Sequence, residues 1–237
     1  MKDRTLLILT ALIEDFVESA IPVASKKLLL SEKFDISSAT IRNEFAELEE
    51  IGLILSPHVS AGKIPTQKGY RFFVDELMNA PQEELRVRKI FEKHLAAYRL
   101  AKSKETLFDI LRLIAQLSGN VAFLTIENDR TFYLGLSNVL MCPEFIHNPE
   151  KAAKIVEILE GRERFEKMLS SLDLNNTDEV KIFIGEENLL EEISSCAMLV
   201  TRFETSAVKG TLGILGPMRM QYGYNRALLK NAIEMLG

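Results

Sequence analysis

The sequence has 237 residues, of which 47% are hydrophobic and 27% are charged. At about 150 residues per domain, this length predicts two domains, and the composition excludes collagen-like, disulfide-rich and extensively disordered chains. The formal net charge is −5. The sum of charges therefore argues against a nucleic-acid binder, since such proteins usually carry an excess of Lys and Arg.

The two cysteines and the apolar runs indicate the compartment. Cys142 and Cys196 form no CxxC pair and predict free thiols in a reducing cytosol. The longest early apolar run, at residues 6–13, is too short for a membrane span and is wrongly flanked for a signal peptide. We therefore predict a cytoplasmic protein without a membrane partner.

The chain begins with three predicted helices, because apolar residues recur at helical spacing between breakers. The first helix ends before Ile21-Pro22, since the residue preceding proline disfavours the α region. Ser25 is placed to cap a second helix that runs to residue 30, and Ser37 to cap a third that runs to about residue 50. Gly52 follows the end of the third helix.

A change of pattern follows the third helix. An apolar piece at residues 53–55 and a turn-rich stretch at residues 56–65 together predict a β-hairpin that projects from the helices. Thr66 is placed to cap a further helix through residue 77. We predict a domain of residues 1–80, followed at residues 81–118 by a helical connector and the first helix of a second domain.

Residues 119–237 mix strand-like runs with helical stretches in irregular order. Strands are predicted at residues 121–126, 132–136, 180–184, 197–203 and 207–215. Helices are predicted at residues 149–159, 164–172 and 225–236. Asn128-Asp129 supplies a turn between the first two strands. This mixture predicts an α+β domain on a mostly antiparallel sheet.

The third predicted helix has the polarity of a DNA-recognition helix. Ile41, Phe45 and Leu48 fall on one face, and Asn43 points away from them. Its acids all lie in the second half: Glu44, Glu47, Glu49 and Glu50. A helix whose acid-free N-terminal half enters the major groove can read guanine and adenine edges with Arg and Asn. In isolation the stretch is more typical of an amphipathic surface helix, but the surrounding order of helices and hairpin is that of a winged helix-turn-helix.

Local charge favours DNA although the total charge does not. Residues 1–80 hold nine Lys or Arg and twelve Asp or Glu, but residues 56–74 contain three cations and no acid. Phosphate contact depends on the local patch. His58 and Lys63 are therefore predicted to contact DNA from the hairpin, with Gly62 allowing a tight tip close to the DNA backbone.

One long segment, SSATIRNEFAELEEIGLILSPHVSAGKIPTQKGYRFFVDEL, is very similar to the DNA-binding region of the heat-inducible transcription repressor HrcA family. Three later stretches, GLSNVLMCPEF, VKIFIGEENLL and GTLGILGPMRMQYGY, resemble the second domain of that family. The resemblance implies an N-terminal winged helix-turn-helix domain at residues 1–80 and a C-terminal GAF-like domain at residues 119–237.

The resemblance also implies a function. It is that of a homodimer that represses heat-shock chaperone genes through an inverted-repeat operator called CIRCE, is released on heat stress, and depends on the chaperonin GroEL to stay folded. The residues themselves predict no cofactor, no metal and no catalytic residue. The implied DNA-binding residues are Ser25, Lys26, Ser38, Thr40, Arg42, Asn43, His58, Ser60, Gly62 and Lys63.

The chain departs from the family in its length. Members run about a hundred residues longer because an inserted dimerisation domain interrupts the GAF-like fold, and here residues 121–136 lead almost directly into SNVLMCPEF. We therefore predict that the insertion is missing. One alternative function is a small-molecule-sensing regulator with a ligand pocket in the GAF-like domain. An enzyme is disfavoured, because Cys142 and His147 lack an orienting motif and the three histidines lack metal-ligand spacing.

Overall fold

The structure is a computed structural model that describes residues 1–30, 36–58, 61–78, 80–95, 104–127, 130–174, 179–206 and 208–236. The chain divides into two compact units, Met1–Met78 (unit 1) and Asn79–Gly237 (unit 2). None of the described helices is long and apolar enough to cross a membrane.

Unit 1 contains three helices, a two-stranded hairpin and a fourth helix. The bounds are α1 Asp3–Ser19, α2 Ser25–Leu30, α3 Ser38–Glu50, β1 Ile54–Leu55, β2 Ile64–Pro65 and α4 Gln67–Phe72. The two strands pair antiparallel, with Ile54 opposite Pro65 and Leu55 opposite Ile64. The predicted helices and the predicted hairpin are therefore confirmed as elements of secondary structure.

The core of unit 1 uses the apolar stripe that helical periodicity marks on α3. Ile41, Phe45 and Leu48 are all buried. They lie among apolar side chains of α1, α2 and the first strand, which are also buried: Ile8, Leu9, Leu12, Leu28 and Ile54. Because this stripe faces the core, the opposite side of α3 faces solvent.

Two predicted helix caps are confirmed. Ser37 Oγ accepts a hydrogen bond from the Thr40 N–H at 3.1 Å before α3. Thr66 Oγ1 accepts from the Gly69 N–H at 3.0 Å before α4. Each cap satisfies one of the N–H groups that the first turn of a helix leaves unpaired.

Replacing Thr66 by Ala is expected to lower the unfolding free energy of unit 1 by about 1 kcal/mol. The variant loses the cap and also the bond that Thr66 Oγ1 donates to the Gly52 carbonyl at 2.7 Å. Urea denaturation measures the change. Thr66→Ser keeps the hydroxyl and is expected to stay within about 0.5 kcal/mol of the wild type. An equal loss in both variants would assign the effect to the methyl group instead.

One local prediction in unit 1 is wrong, and a second is correct in extent but not complete as to helix type. The cap predicted at Ser25 is displaced by one residue, because α2 begins at Ser25 and the Ala24 carbonyl accepts the N–H of Leu28. The helix predicted to run from Thr66 through residue 77 ends as an α-helix at Phe72 and continues as a π-helical turn, Phe73–Leu77. Residues 31–35, which connect α2 to α3, lie outside the described residues.

Unit 2 is built on a five-stranded sheet with helices before, within and after it. The bounds are α5 Ala80–Leu95, α6 Lys104–Ser118, β3 Val121–Ile126, β4 Thr131–Leu134, α7 Leu136–Leu140, α8 Pro143–Ile146, α9 Pro149–Glu160, α10 Arg162–Ser171, β5 Lys181–Ile184, β6 Cys196–Glu204, β7 Lys209–Pro217 and α11 Tyr222–Leu236. The strand order is β4-β3-β7-β6-β5, and every neighbouring pair is antiparallel. The predicted antiparallel α+β architecture is confirmed for this unit.

Helices cover both faces of the sheet. Each strand contributes side chains to both of these cores, because successive side chains point to opposite faces. One face contributes Phe123, Met198 and Leu215 to a core that includes side chains of α9 and α10. On the other face, the ring of Phe132 lies edge-on to Phe108 of α6, with 4.6 Å between centroids. The C-terminal helix α11 contacts β6, α5 and α6.

The segment after β4 differs from the prediction. The strand ends at Leu134, two residues earlier than predicted, because Gly135 adopts a φ of +86° and starts a turn. The SNVLMCPEF segment, to which no helix was assigned, forms the short helices α7 and α8. The predicted Asn128-Asp129 turn lies outside the described residues.

The two cysteines are free, as predicted. Cys142 is half-buried and Cys196 is buried. Burial raises the pKa of the Cys196 thiol to about 12. A thiol with so high a pKa carries almost no thiolate at neutral pH, so Cys196 serves as a core residue.

Candidate nucleic-acid interface

The predicted base-reading residues lie on the solvent side of the first half of α3. Arg42 and Asn43 are exposed, and Ser38 and Thr40 are partly exposed. The buried stripe on the opposite side of the helix determines this orientation. The structure thus presents a guanidinium, a carboxamide and two hydroxyls from one helix half.

Three predicted residues meet where α2 and α3 begin. Ser25 Oγ lies 3.2 Å from Ser38 Oγ, and Arg42 Nη2 donates to Ser38 Oγ at 3.4 Å. Lys26, the next residue of α2, is exposed. Within the described part of the chain the Arg42 guanidinium makes only this long hydrogen bond, so most of its five N–H donors can bind an outside acceptor.

Ion pairs divide the cations of unit 1 into two groups. Lys27 pairs with Asp15 at 2.7 Å, and Arg71 pairs with Asp75 at 3.1 Å. In contrast, no carboxylate of the described residues lies within 4 Å of Lys26 or Arg42. Positive charge that is available to a phosphate is therefore present at the start of α2 and α3, although unit 1 as a whole is acidic.

Glu44, one of the acids in the second half of α3, is a structural residue on the buried side of the helix. Its carboxylate is buried, with 3% of the residue exposed. Thr5 Oγ1 donates to Oε2 at 2.6 Å, and Arg4 Nε donates to Oε1 at 2.9 Å. The Thr5 hydrogen bond, helped by the Arg4 guanidinium, holds the pKa of Glu44 below its usual range against the opposing effect of burial. Glu44 therefore joins α3 to α1.

A signal for this burial was present in the sequence. Glu44 lies three residues after Ile41 and four residues before Leu48, so it shares their face of the helix. A carboxylate within an apolar stripe indicates a buried polar contact, because an unpaired buried charge is too costly to retain.

The hairpin packs against the connection between α1 and α2 through Gly62 and Lys63, two residues that are predicted to contact DNA. Val23 and Lys63 exchange backbone hydrogen bonds of 2.8 and 2.9 Å. A Cβ atom on Gly62 would lie 2.6 Å from backbone atoms of Pro22 and Val23. The connection between α1 and α2 therefore requires glycine at this position, for a reason that does not involve DNA.

The side chain of Lys63 is engaged within unit 1. Its Nζ donates to Glu49 Oε2 at 2.5 Å and to Ser56 Oγ at 2.7 Å, and 19% of the side chain is exposed. The hydrogen bond from Lys63 lowers the pKa of Glu49, so the pair is ionised and its charges cancel. Of the other predicted hairpin residues, His58 is exposed and Ser60 lies outside the described residues.

This arrangement suits hydrogen bonding to a polyanion better than catalysis. Exposed donors on α2 and α3 match what a duplex presents, namely phosphate oxygens and acceptors on base edges. Among the described residues, no group of three or more His, Cys, Asp or Glu side chains is arranged to hold a metal ion.

Comparison with known proteins points to one family. The family model described as HrcA protein C terminal domain matches residues 66–224. A heat-inducible transcription repressor HrcA from Acetivibrio thermocellus is 24% identical over 345 aligned positions, which cover 100% of this chain and 97% of that protein. The corresponding repressor from Carboxydothermus hydrogenoformans is 28% identical over 339 positions, covering 99% of this chain and 98% of its own.

A solved structure has the same fold. The crystal structure of a hypothetical protein at 2.2 Å resolution aligns with a TM-score of 0.72, 18% sequence identity, 100% coverage of this chain and 97% of that chain.

The alignment with the Acetivibrio repressor also shows how the two proteins differ in length. Since 345 positions align the whole of a 237-residue chain, 108 of them have no counterpart here. Because nearly all of that relative is covered, most of these positions are internal.

Proposed function

This chain belongs to the HrcA family, and on that premise we propose that it is a transcriptional repressor of heat-shock genes that binds double-stranded DNA and is not an enzyme. Unit 1 is the DNA-binding domain, a winged helix-turn-helix in which α3 enters the major groove and the β1–β2 hairpin is the wing. Unit 2 is the GAF-like domain. A repressor of this kind acts on the chromosome, and hence in the cytoplasm.

The observation that carries the proposal is the exposed first half of α3. Arg42 and Asn43 have the two side chains that form bidentate hydrogen bonds with guanine and adenine in the major groove. Ser38 and Thr40 lie beside them, and Lys26 adds a cation without a described carboxylate partner. The acids of α3 are either buried, paired or in its second half, so they leave this surface open to a duplex.

The proposal includes binding as a homodimer to a CIRCE-like inverted repeat. A dimer places two recognition helices about 34 Å apart, one helical turn of DNA, and so doubles the contacts that a single small domain makes. The internal positions that the chain lacks relative to its relatives coincide in number with the inserted dimerisation domain expected from the family. We therefore propose that this chain dimerises without that insertion.

Arg42→Ala and Asn43→Ala are each expected to weaken binding to a CIRCE duplex by about 1–3 kcal/mol and to relax the base preference at the contacted position. An electrophoretic mobility-shift assay with wild-type and base-substituted duplexes measures both effects. Arg112→Ala in α6 is the matched control, because it removes the same charge from an exposed arginine in unit 2. Wild-type affinity in both α3 variants would rule out the recognition-helix assignment.

Release on heating is the proposed switch, with GroEL acting to keep the repressor folded. Operator occupancy is then expected to fall with temperature together with the circular dichroism signal of the folded protein, and added GroEL with ATP should restore occupancy after cooling. Occupancy that survives unfolding of unit 2 would refute this switch.

The small-molecule sensor remains the alternative, but no described feature favours it, because apolar side chains fill both faces of the sheet.

A further inference from the structure

We propose that Lys63 is a positioning residue, which fixes the wing against the recognition helix α3 through Glu49, and that it does not contact DNA phosphate. The inference rests on the proposed DNA-binding function. From its charge alone, Lys63 would be expected to contact a DNA phosphate. Glu49, an acid of the recognition helix whose own charge repels DNA, contributes to DNA binding by holding Lys63 in place.

The side chain of Lys63 joins two elements of the interface. Two of its three N–H donors are used, one by Glu49 near the end of α3 and one by Ser56 directly after β1. Glu49 Oε2 and Ser56 Oγ lie 2.5 and 2.7 Å from the same nitrogen. The ammonium therefore ties the start of the hairpin loop to the recognition helix.

The main chain of Lys63 joins a third element. Its N–H donates to the Val23 carbonyl at 2.9 Å, and its carbonyl accepts from the Val23 N–H at 2.8 Å. The neighbouring Gly62 packs against the backbone of Pro22 and Val23 without room for a Cβ. One residue thus connects the returning arm of the hairpin to the segment before α2 and, through its side chain, to α3.

Charge supports the same role. The Glu49 carboxylate neutralises the Lys63 ammonium, and a phosphate approaching Lys63 would also approach Glu49. The hydrogen bond from Lys63 lowers the pKa of Glu49, so the carboxylate stays charged at neutral pH and the pair persists. Lys26 and Arg42, which have no carboxylate partner among the described residues, are better suited to contact phosphate.

The two roles of Lys63 predict opposite effects for Glu49→Met. If Lys63 positions the wing, removing its partner loosens the wing, and binding to a CIRCE duplex falls at least about threefold below that of Glu50→Met. If Lys63 contacts phosphate, removing Glu49 frees the ammonium and binding becomes tighter than in Glu50→Met. Glu50 is the matched control, because it is the exposed neighbour on the same helix and loses the same charge.

Salt dependence provides a second readout. Lys63→Met is expected to lower affinity without changing the slope of log K against log salt concentration, whereas loss of a phosphate contact would reduce the slope by about 0.9 for each protomer. Lys63→Arg retains a donor for Glu49 and is expected to recover affinity to within about threefold of the wild type. A reduced slope in Lys63→Met, or tighter binding by Glu49→Met, would overturn the proposal.

Hydrogen exchange without DNA separates this inference from the proposed function. The backbone amides of Val23 and Lys63 are expected to exchange faster in Glu49→Met than in Glu50→Met, while amides in the α3 core exchange equally in both, which also verifies folding. Unchanged exchange at both amides would overturn the positioning role whether or not DNA binds. Failure of the wild type to prefer CIRCE over a scrambled duplex would instead overturn the proposed function alone.

Discussion

Phe123→Ala is expected to lower the unfolding free energy of unit 2 by about 3–5 kcal/mol. Phe123 lies on β3 and is fully buried. Its ring lies edge-on to Phe165 of α10, with 5.1 Å between centroids. The substitution therefore removes a large apolar side chain from between the sheet and a helix and leaves a cavity that rigid strands cannot close.

The strand opposite Phe123 makes the cavity harder to fill. Gly213 is its cross-strand partner, and a Cβ atom there would lie 2.2 Å from the Phe123 ring and 2.7 Å from the Leu199 carbonyl oxygen. The ring thus occupies space that Gly213 leaves open. Gly213→Ala cannot restore the packing in Phe123→Ala, because the backbone of β6 still blocks the added methyl group.

Calorimetry of the full chain measures how far Phe123→Ala lowers the Tm of unit 2. For a unit of this size, each kcal/mol lowers Tm by about 2–4 °C, so the transition of unit 2 is expected to move well below that of the wild type. Leu134→Ala on the edge strand β4 is the control, because that side chain is partly exposed and its loss is expected to cost less than about 1 kcal/mol. A similar shift in both variants would contradict the assignment of Phe123 to the centre of the core. Under the proposed function, operator release should move to lower temperature with the Phe123→Ala transition.

Arg4→Met is expected to lower the unfolding free energy of unit 1 by about 2–4 kcal/mol at pH 7. The substitution leaves the buried Glu44 carboxylate without its guanidinium, and an uncompensated buried charge is strongly destabilising. The value is below that of a fully buried pair, because 45% of the Arg4 side chain is exposed and water screens the interaction. Urea denaturation at pH 7 measures the loss.

The pH dependence identifies the carboxylate. The folded protein holds the pKa of Glu44 below its unfolded value of about 4.3, so this stabilisation is present above that pH and disappears as the pH falls through the folded pKa. The wild type should lose more stability than Arg4→Met between pH 7 and about pH 3, because the loss begins only below the unfolded pKa. Lys2→Met, which removes a more distant charge from the same carboxyl, is expected to have a small effect at either pH. Parallel pH profiles for wild type and Arg4→Met would show that Glu44 does not depend on Arg4.

Local features were predictable from the sequence because neighbouring residues produce them. The stripe of Ile41, Phe45 and Leu48 follows from a helical period, and the caps at Ser37 and Thr66 follow from the hydrogen-bonding needs of a first turn. The strand-like runs of unit 2 were identified in the same way. The short helices α7 and α8 were missed, because five- and four-residue segments are too short for a period to be recognised.

The sequence by itself determined the order of helices, hairpin and strands, the exposed face of α3 and the family resemblance, since each depends on residues close together in the chain. Only the tertiary structure decided the strand order of the sheet and the partners of Glu44, Gly62 and Lys63. Their contacts join residues separated by 39 positions for Thr5 and Glu44 and by 14 for Lys63 and Glu49. The local excess of cations predicts that Lys63 is available to DNA. In the folded protein, however, Glu49 Oε2 lies 2.5 Å from Lys63 Nζ and neutralises its charge. Whether a charged side chain contacts solvent, a partner or DNA depends on which distant residue the fold brings next to it, and no local pattern encodes that.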